Sequence, residues 1–269
     1  MLWAGVAAVT LTMLATLAAV RARAANASGE SATATAVQAA SPAVAAVANG
    51  VAEKKDASSP PTQGYANDDP ADDAIVGPPA PRDDCEAALK KEGVRFTAAR
   101  IGVQRRGAIA CGAEQVVVYL RSPAGIAYDP PALVTCTMAL ALSRFDAIAQ
   151  EEAKRAFGKR ITRIHHLGTY ACREMKAYPG WVSEHSYANA IDLESFSLES
   201  GTSVSVLRNF DKADAPAKAE SRFLRAVSRR AYDENVFSNV LTPFFDALHR
   251  NHFHVDLARY RTDGTRPAG

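Results

Sequence analysis

Residues 190–198 read AIDLESFSL, residues 199–202 read ESGT, and residues 203–207 read SVSVL. Two short strand-like stretches joined by a turn that contains glycine predict a β-hairpin. Residues 252–257 read HFHVDL and alternate polar with apolar side chains, so they predict another strand. The hairpin and this later strand indicate that the chain contains a β-sheet.

Helical and strand-like patterns follow one another irregularly along the rest of the chain. Predicted helices cover residues 85–92, the stretch from Leu133 to Gly158, the stretch from Phe223 to Ala231, and residues 243–249. Further predicted strands cover residues 116–120 and 161–168. This order predicts an α+β fold in which helices pack against one small antiparallel sheet.

Composition divides the chain into four parts. Residues 2–20 are uncharged and mostly apolar, so residues 1–24 predict a signal peptide or a membrane anchor. Residues 25–84 are rich in Ala, Ser, Pro and Asp and predict a disordered linker. Residues 85–262 have the composition of one globular domain, and residues 263–269 are interpreted as a tail.

The four cysteines, Cys85, Cys111, Cys136 and Cys172, all lie in the globular part, and none forms a C-x-x-C pair. An even number behind an export-like segment predicts two disulfides and a periplasmic or extracellular location. We expect the pairs Cys85–Cys111 and Cys136–Cys172, with four buried thiols as the alternative. Arginines follow the apolar residues 2–20 instead of preceding them, which favours keeping the rest of the chain inside, but the cysteines favour export. The segment is then either a cleaved signal or an attachment to the cytoplasmic membrane.

The charge balance narrows the choice of partners. The chain holds 31 Lys and Arg against 29 Asp and Glu. Basic residues outnumber acidic ones from Cys85 onward, which suits an anionic polymer of the cell envelope. No dense stripe of Lys and Arg with interleaved aromatic residues occurs in the sequence, and this argues against nucleic acid as a partner.

An acidic residue in the first predicted strand needs a positive partner. Side-chain alternation places Asp192 on the same face as Phe196 and Leu198, which we expect to be the buried face. An ionised carboxylate in such a place is costly unless a cation meets it. His254 meets Asp192 if the strand of residues 252–257 is the neighbour of the strand of residues 190–198.

Histidines supply the other candidate ligands of a metal site. His252 and His254 lie two residues apart on one strand face, and His185 precedes the hairpin at a distance that allows it to close over Asp192. Two imidazoles and one carboxylate form a three-ligand set with a fourth position open for water, which is the arrangement of catalytic zinc. Zinc lowers the pKa of its bound water to about 7.

The spacing of these residues carries a resemblance. Ser183, His185, Ala190 and Asp192 form S-x-H followed by A-x-D, with H-x-H at 252–254. The pattern resembles the zinc peptidases that include D-alanyl-D-alanine carboxypeptidases and penicillin-insensitive murein endopeptidases. Over residues 85–260 the chain most resembles the bacterial extensin-like C-terminal domain family. The matching stretches are YACR at 170–173, SEHSYANAID at 183–192, SFSLESGTSVSV at 195–206, FLRAV at 223–227 and LHRNHFHVDLA at 248–258.

The resemblance implies a single zinc-peptidase-like domain in which His185, Asp192 and His254 bind Zn²⁺. The sequence H-x-x-H-x-H at 249–254 is similar to the endopeptidase branch, so His252, and His249 as an alternative, take the general-base role. The other interpretation of His252 is a residue that orients a metal ligand.

Three further positions complete the expected site. Arg173 resembles the arginine that lies near the substrate carbonyl in this peptidase group and stabilises the oxyanion, with a surface or carboxylate-pairing role as the alternative. Glu184 is expected to face solvent. Ala188 stands where the group has glycine, so a left-handed backbone there is strained or the loop differs.

The resemblance implies an exported zinc-dependent peptidase that hydrolyses peptide bonds in peptidoglycan, at a cross-link or in a stem peptide. The alternative is a non-catalytic domain that binds peptidoglycan and retains the metal site, an interpretation that the departure at Ala188 motivates. His165 and His166 are expected to be structural.

Overall fold

The computed structural model describes residues 82–176, 178–213, 215 and 218–267. The predicted signal or anchor segment and the predicted linker up to residue 81 lie outside the described residues. Among the described helices, none is both long enough and apolar enough to cross a membrane.

Four α-helices, one 3-10 helix and nine strands make up the described part of the chain. In chain order they are α1 (Cys85–Glu92), β1 (Arg95–Arg106), β2 (Ile109–Arg121), β3 (Ala127–Thr135), α2 (Cys136–Phe157), β4 (Ile161–His166), the 3-10 helix (Glu184–Tyr187), β5 (Ala190–Leu198), β6 (Ser203–Ser205), α3 (Val206–Asn209), α4 (Ala219–Asp233), β7 (Asn239–Leu241), β8 (Phe253–Asp256) and β9 (Thr262–Gly264).

All nine strands belong to one sheet in the order β1-β2-β3-β4-β5-β8-β7-β9, with β6 paired to β5 beside β8. The pairs β3–β4 and β7–β9 are parallel, and the other pairs are antiparallel. The α+β class is therefore confirmed. The prediction of a small antiparallel sheet is wrong, because the sheet is large and mixed.

Four strands, β1, β3, β7 and β9, were not predicted from the sequence, and for β1 and β3 the physical reason is clear. Strand β1 is largely exposed, so it lacks the apolar alternation that marks a half-buried strand. Strand β3 contains Pro130 and Pro131, which are unusual within strands, and its last residues were assigned to the helix predicted from Leu133, whereas that helix begins at Cys136. Residues 127–129 pair with β4 and residues 132–135 pair with β2, so the two prolines lie between the paired positions of the ladder.

Helices α2 and α4 cover one face of the sheet through aromatic contacts. The ring of Phe196 on β5 lies 6.4 Å from that of Phe145 on α2 and 5.2 Å from that of Phe223 on α4. Phe253 on β8 lies 6.5 Å from Phe196 and extends the same core. Asp192 on β5 and His254 on β8 are not part of this core and lie on the opposite face of the two strands.

A β-bulge decides which side chains of β5 face the helices. His165 pairs with Ser195 whereas His166 pairs with Leu193, so β5 holds one extra residue, Glu194, at this point. Leu193 and Phe196 consequently both lie in the buried core, although strict alternation would separate them. The prediction that Asp192 shares a face with Phe196 is wrong, because the bulge reverses the alternation between them.

The predicted helix over residues 243–249 is also wrong, since these residues form turns. The Asp246 carboxylate accepts hydrogen bonds from the backbone N–H groups of Leu248, at 2.8 Å, and His249, at 3.0 Å. Such local side-chain bonds offer the backbone an alternative to the helical ladder. Pro243, the first residue of the predicted helix, therefore begins a turn.

Two disulfides are present, but their connectivity differs from the expected one. Cys85 pairs with Cys136, with Cα atoms 6.0 Å apart, and Cys111 pairs with Cys172, with Cα atoms 5.5 Å apart. The first pair joins α1 to the first residue of α2, and the second joins β2 to the loop after β4. The expected pairs, Cys85–Cys111 and Cys136–Cys172, are wrong because the fold brings together cysteines that are 51 and 61 residues apart in the sequence. Two disulfides indicate a location outside the cytoplasm.

Asp146 is a buried carboxyl group beneath the sheet. Its Oδ1 accepts a hydrogen bond from the Tyr128 hydroxyl at 2.8 Å, and its Oδ2 accepts one from Tyr119 at 3.2 Å. Burial raises the pKa of Asp146 to about 7, against the opposing effect of these hydrogen bonds. The folded protein therefore keeps a proton that the unfolded chain releases near pH 4.

We predict that the Asp146→Asn variant has a flatter dependence of stability on pH than the wild type. Between pH 4 and 7 the unfolded chain binds fewer protons at this residue, so the wild type loses up to about 4 kcal/mol of unfolding free energy as pH rises. Urea unfolding of both proteins at several pH values in this window measures the difference. Parallel curves for the two proteins would contradict the prediction.

Candidate metal centre

Three side chains from separate parts of the chain converge on one point. His185 Nε2 lies 3.2 Å from Asp192 Oδ1 and 3.2 Å from His254 Nδ1, and His254 Nδ1 lies 3.0 Å from Asp192 Oδ1. Asp192 on β5 and His254 on β8 are directly paired residues of neighbouring antiparallel strands. The predicted neighbourhood of the two strands is therefore confirmed. The three residues are arranged so that they can hold one metal ion.

The hydrogen bonds behind the two imidazoles orient their lone pairs inward. His185 Nδ1 lies 3.2 Å from the carbonyl oxygen of Thr169, which only accepts, so Nδ1 carries the proton and Nε2 is free of one. His254 Nε2 lies 2.9 Å from Asp256 Oδ2 and donates to it, which leaves the lone pair of Nδ1 facing Asp192. Three acceptor atoms then face one another.

Such a cluster of acceptors needs a positive charge. Burial disfavours the charged forms of both Asp192 and His254. The neighbouring imidazoles of His185 and His254 nevertheless hold the pKa of Asp192 well below its usual range, and the carboxylates of Asp192 and Asp256 raise the pKa of His254 to about 10. In the absence of an ion, a proton on His254 supplies the charge. A metal cation supplies it equally.

Asp256 is a site residue that the sequence interpretation missed. Its carboxylate accepts hydrogen bonds from His254 at 2.9 Å, from Asn239 Nδ2 at 2.8 Å and from the backbone N–H of Ala258 at 3.0 Å. A carboxylate behind a metal-binding histidine fixes the ring and raises its basicity. The available signal was the spacing H-x-D in β8, which places both side chains on one strand face.

His252 lies beside the three atoms of His185, Asp192 and His254 that could bind a metal, which we call the donor atoms. Its Nε2 is 3.5 Å from Asp192 Oδ1, and its Nδ1 is 3.0 Å from Asn251 Oδ1. Burial lowers the pKa of His252 to about 4, so its imidazole is neutral at physiological pH. His252 is outside the set of donor atoms that can share one ion, and it flanks that set with an unprotonated nitrogen.

His249 occupies the next position outward. Its ring centroid lies 5.2 Å from that of His252 and 5.9 Å from that of His254. The Asp246 carboxylate is 2.6 Å from His249 Nδ1 and fixes the ring. Burial also lowers the pKa of His249. The structure therefore brings both candidate bases, His252 and His249, to one side of the three donor atoms.

A cavity of about 540 Å³ opens on this group of residues. Its lining contains Asp192, His252 and His254, together with Tyr178 and Phe245, and its surface is largely apolar. The cavity therefore gives a substrate access to Asp192 and His254, with His249 and His252 also in its lining.

Arg173 lies at this cavity and has a fixed backbone. Its N–H donates to the Ser186 hydroxyl at 3.0 Å, its carbonyl accepts from the same hydroxyl at 2.8 Å, and its guanidinium donates to the carbonyl of Glu174 at 3.3 Å. Within the described residues the guanidinium makes no ion pair, so the carboxylate-pairing alternative is not seen there. The neighbouring disulfide, Cys111–Cys172, anchors the loop.

Glu184 does not face solvent as expected. It is half-buried at the cavity wall, and its Oε2 accepts a hydrogen bond from Asn189 Nδ2 at 2.7 Å. Burial raises the pKa of Glu184 to about 7, and the nearby carboxylate of Asp256 adds to this rise. The burial of Glu184 could not be predicted from side-chain alternation, because Glu184 lies in a 3-10 helix and not in a strand.

Ala188 has the left-handed conformation that the pattern with glycine suggested, with φ of 53°. Its methyl group is buried beside Ala113 and Val116. The loop therefore keeps the backbone shape and gains a packing contact that partly offsets the strain. His165 and His166 lie outside the group of three donors, with His166 Nε2 at 2.8 Å from the carbonyl of Pro130.

We predict that the Asp256→Asn variant binds a divalent transition metal roughly 10- to 100-fold more weakly than the wild type, because the imidazole of His254 loses its charged partner. Competition with a chromophoric chelator measures the affinity. His165→Ala is the matched control and should bind as the wild type does. Unchanged affinity in a folded Asp256→Asn variant would contradict the role of Asp256.

Comparison with known proteins places the chain in a family. The family model described as "Extensin-like protein C-terminus" matches residues 83–266, which is more than half of the chain. Comparisons with curated proteins and with solved structures gave no significant match. The match covers every described helix and strand, from Cys85 in α1 to Gly264 in β9. The chain therefore belongs to the extensin-like C-terminal family.

Proposed function

We propose that this protein is an exported zinc-dependent peptidase that hydrolyses peptide bonds in peptidoglycan, at a cross-link or in a stem peptide. The observation that carries the proposal is the convergence of His185, Asp192 and His254 beside the neutral imidazole of His252 at an open cavity. The resemblance of the S-x-H and A-x-D spacing to zinc peptidases of peptidoglycan supports the choice of substrate.

The donor set favours zinc over the hard divalent cations. Two imidazole nitrogens and one carboxylate oxygen are ordinary zinc ligands, whereas Ca²⁺ and Mg²⁺ take oxygen ligands. Tetrahedral bonds of 2.0–2.1 Å place neighbouring ligand atoms about 3.3 Å apart. The observed separations of 3.0–3.2 Å are close to this value. Three protein ligands leave one position for water, as in catalytic sites.

The residues around the donor set have the chemistry that hydrolysis requires. Bound zinc would supply an activated water at neutral pH. Neutral His252 accepts a proton at Nε2 and delivers it to the departing amine, with His249 as the alternative base. The guanidinium of Arg173, fixed at the cavity wall, donates hydrogen bonds to the carbonyl oxygen as negative charge develops there.

The disulfides and the N-terminal sequence support the proposed location. Two disulfides indicate an oxidising compartment. A periplasmic or extracellular enzyme with residues 2–20 as a cleaved signal or as an anchor in the cytoplasmic membrane would meet peptidoglycan directly.

We predict that the purified protein loaded with one Zn²⁺ converts isolated muropeptides into products with a new amine and a new carboxylate at one peptide bond. Mass spectrometry of the digest identifies the bond. His185→Ala should lose both zinc and activity, whereas His165→Ala should keep both. A zinc-loaded protein that binds muropeptides and leaves them intact would support the alternative of a non-catalytic binding domain.

The two candidate bases can be separated by substitution. We predict that His252→Ala retains zinc and loses roughly 10²- to 10⁴-fold in kcat, the usual contribution of a general base. His249→Ala should lose less, because its ring lies farther from the donor atoms. A larger loss for His249→Ala at equal zinc content would transfer the base role to His249.

A further inference from the structure

Strands β1 and β2 form a long arm with an unbalanced charge. Residues 95–121 contain five arginines and one acidic residue, Glu114. The basic residues are all arginine, whose planar guanidinium binds carboxylates through two parallel hydrogen bonds. We call the part from Arg100 to Cys111 the arginine hairpin. Among the described residues, no ion pair involves Arg100, Arg105 or Arg106.

The arginine hairpin is shaped so that its outer strand is open to a partner. Among the described strands, β1 is the last one on its side of the sheet and pairs only with β2. The β1–β2 register slips on both sides of Ile101, and Val103 is 82% exposed. Gly112, with φ of 122°, allows the close approach, since a Cβ atom there would lie 2.9 Å from the carbonyl oxygen of Gly102.

Two contacts join the arginine hairpin to the rim of the cavity. The Cys111–Cys172 disulfide is one, and a hydrogen bond of 3.2 Å from Arg106 Nη1 to the carbonyl of Cys172 is the other. Arg173, which follows Cys172, lines the cavity. Arg106 therefore lies beside the segment that carries Arg173, and exposed Arg105 and Arg100 precede it on the same strand.

We propose that the arginine hairpin binds a polymer with carboxylates along its length and guides it to the cavity. The inference rests on the proposed function for the identity of that polymer, peptidoglycan with its carboxylate-bearing stem peptides. Charge complementarity is the argument for this occupant. A lipid surface fits less well, because Val103 is the one large exposed apolar residue of the described hairpin and no aromatic side chain accompanies it.

Binding of the full-length protein to purified sacculi, in mild detergent, tests the proposal. The Arg100→Gln/Arg105→Gln variant leaves Arg106 and its structural hydrogen bond in place. We expect it to bind sacculi about tenfold more weakly than the wild type at low salt, from the loss of two exposed ion pairs. The matched control, Lys159→Gln/Arg208→Gln, removes two exposed charges elsewhere and should bind as the wild type does.

Chemical amidation of the carboxylates in the sacculi should weaken binding of the wild type and of the control, and should remove the difference between them and the hairpin variant. Equal binding of the variant and the wild type to untreated sacculi would overturn the proposal. Binding to vesicles of phosphatidylglycerol is measured in parallel. If the hairpin variant bound these vesicles more weakly than the wild type but bound sacculi equally well, the partner would be a lipid surface and the proposal would be overturned.

The failure of this inference is distinguishable from the failure of the proposed function. His185→Ala should lose hydrolysis and keep its binding to sacculi, since the hairpin needs no metal. A hairpin variant that binds sacculi weakly yet still cleaves small soluble muropeptides at the wild-type rate supports the guiding role. Weaker cleavage of soluble muropeptides by that variant would place the two arginines in the cavity and overturn it.

Discussion

Three hydrogen-bond acceptors face one another in a small, mostly buried volume, and the positive charge that they require is the constraint on this part of the protein. The nitrogen atoms of His185 and His254 and the carboxylate of Asp192 lie within 3.2 Å of one another. Thr169 and Asp256 hold the rings so that the lone pairs point inward. Mutual repulsion of this kind is costly in a poorly solvated place. The arrangement is stable only with a cation or a proton between the acceptors.

The sheet provides this poorly solvated volume because one face packs against helices and the other carries two of the three acceptors. Helices α2 and α4 cover one face and bury Phe196 of β5. The extra residue Glu194 in β5 reverses the alternation, so Asp192 points to the other face, where His254 is its direct cross-strand partner. Without the bulge, Asp192 and Phe196 would share a face, and the carboxylate would compete with the core for space.

The sequence predicts those parts of the site that depend on strand periodicity. The strands that carry Asp192 and His254 follow from two alternating stretches, whereas their pairing was expected only if the two strands were neighbours. The helices α1, α2 and α4 follow from the spacing of apolar residues. The disulfide connectivity and the bulge could not be predicted, because both depend on which distant segments meet. Asp256 was missed because the H-x-D spacing of β8 puts a carboxylate on the face of His254 but does not show that the two side chains bond to each other. The turn after Thr242 was missed because Asp246 binds the backbone locally, which periodicity does not detect.

The two disulfides have different consequences because they join different parts of the fold. Cys85–Cys136 connects two helices that already pack together, so it chiefly stabilises the helical layer. Cys111–Cys172 connects β2 to the loop that carries Arg173 and adds a covalent bond to the backbone hydrogen bonds between this loop and residues 181–185. Side chains that act on a substrate must be held to within about 0.5 Å by the structure behind them. The oxidising compartment therefore matters for the shape of the cavity, and not only for the stability of the core.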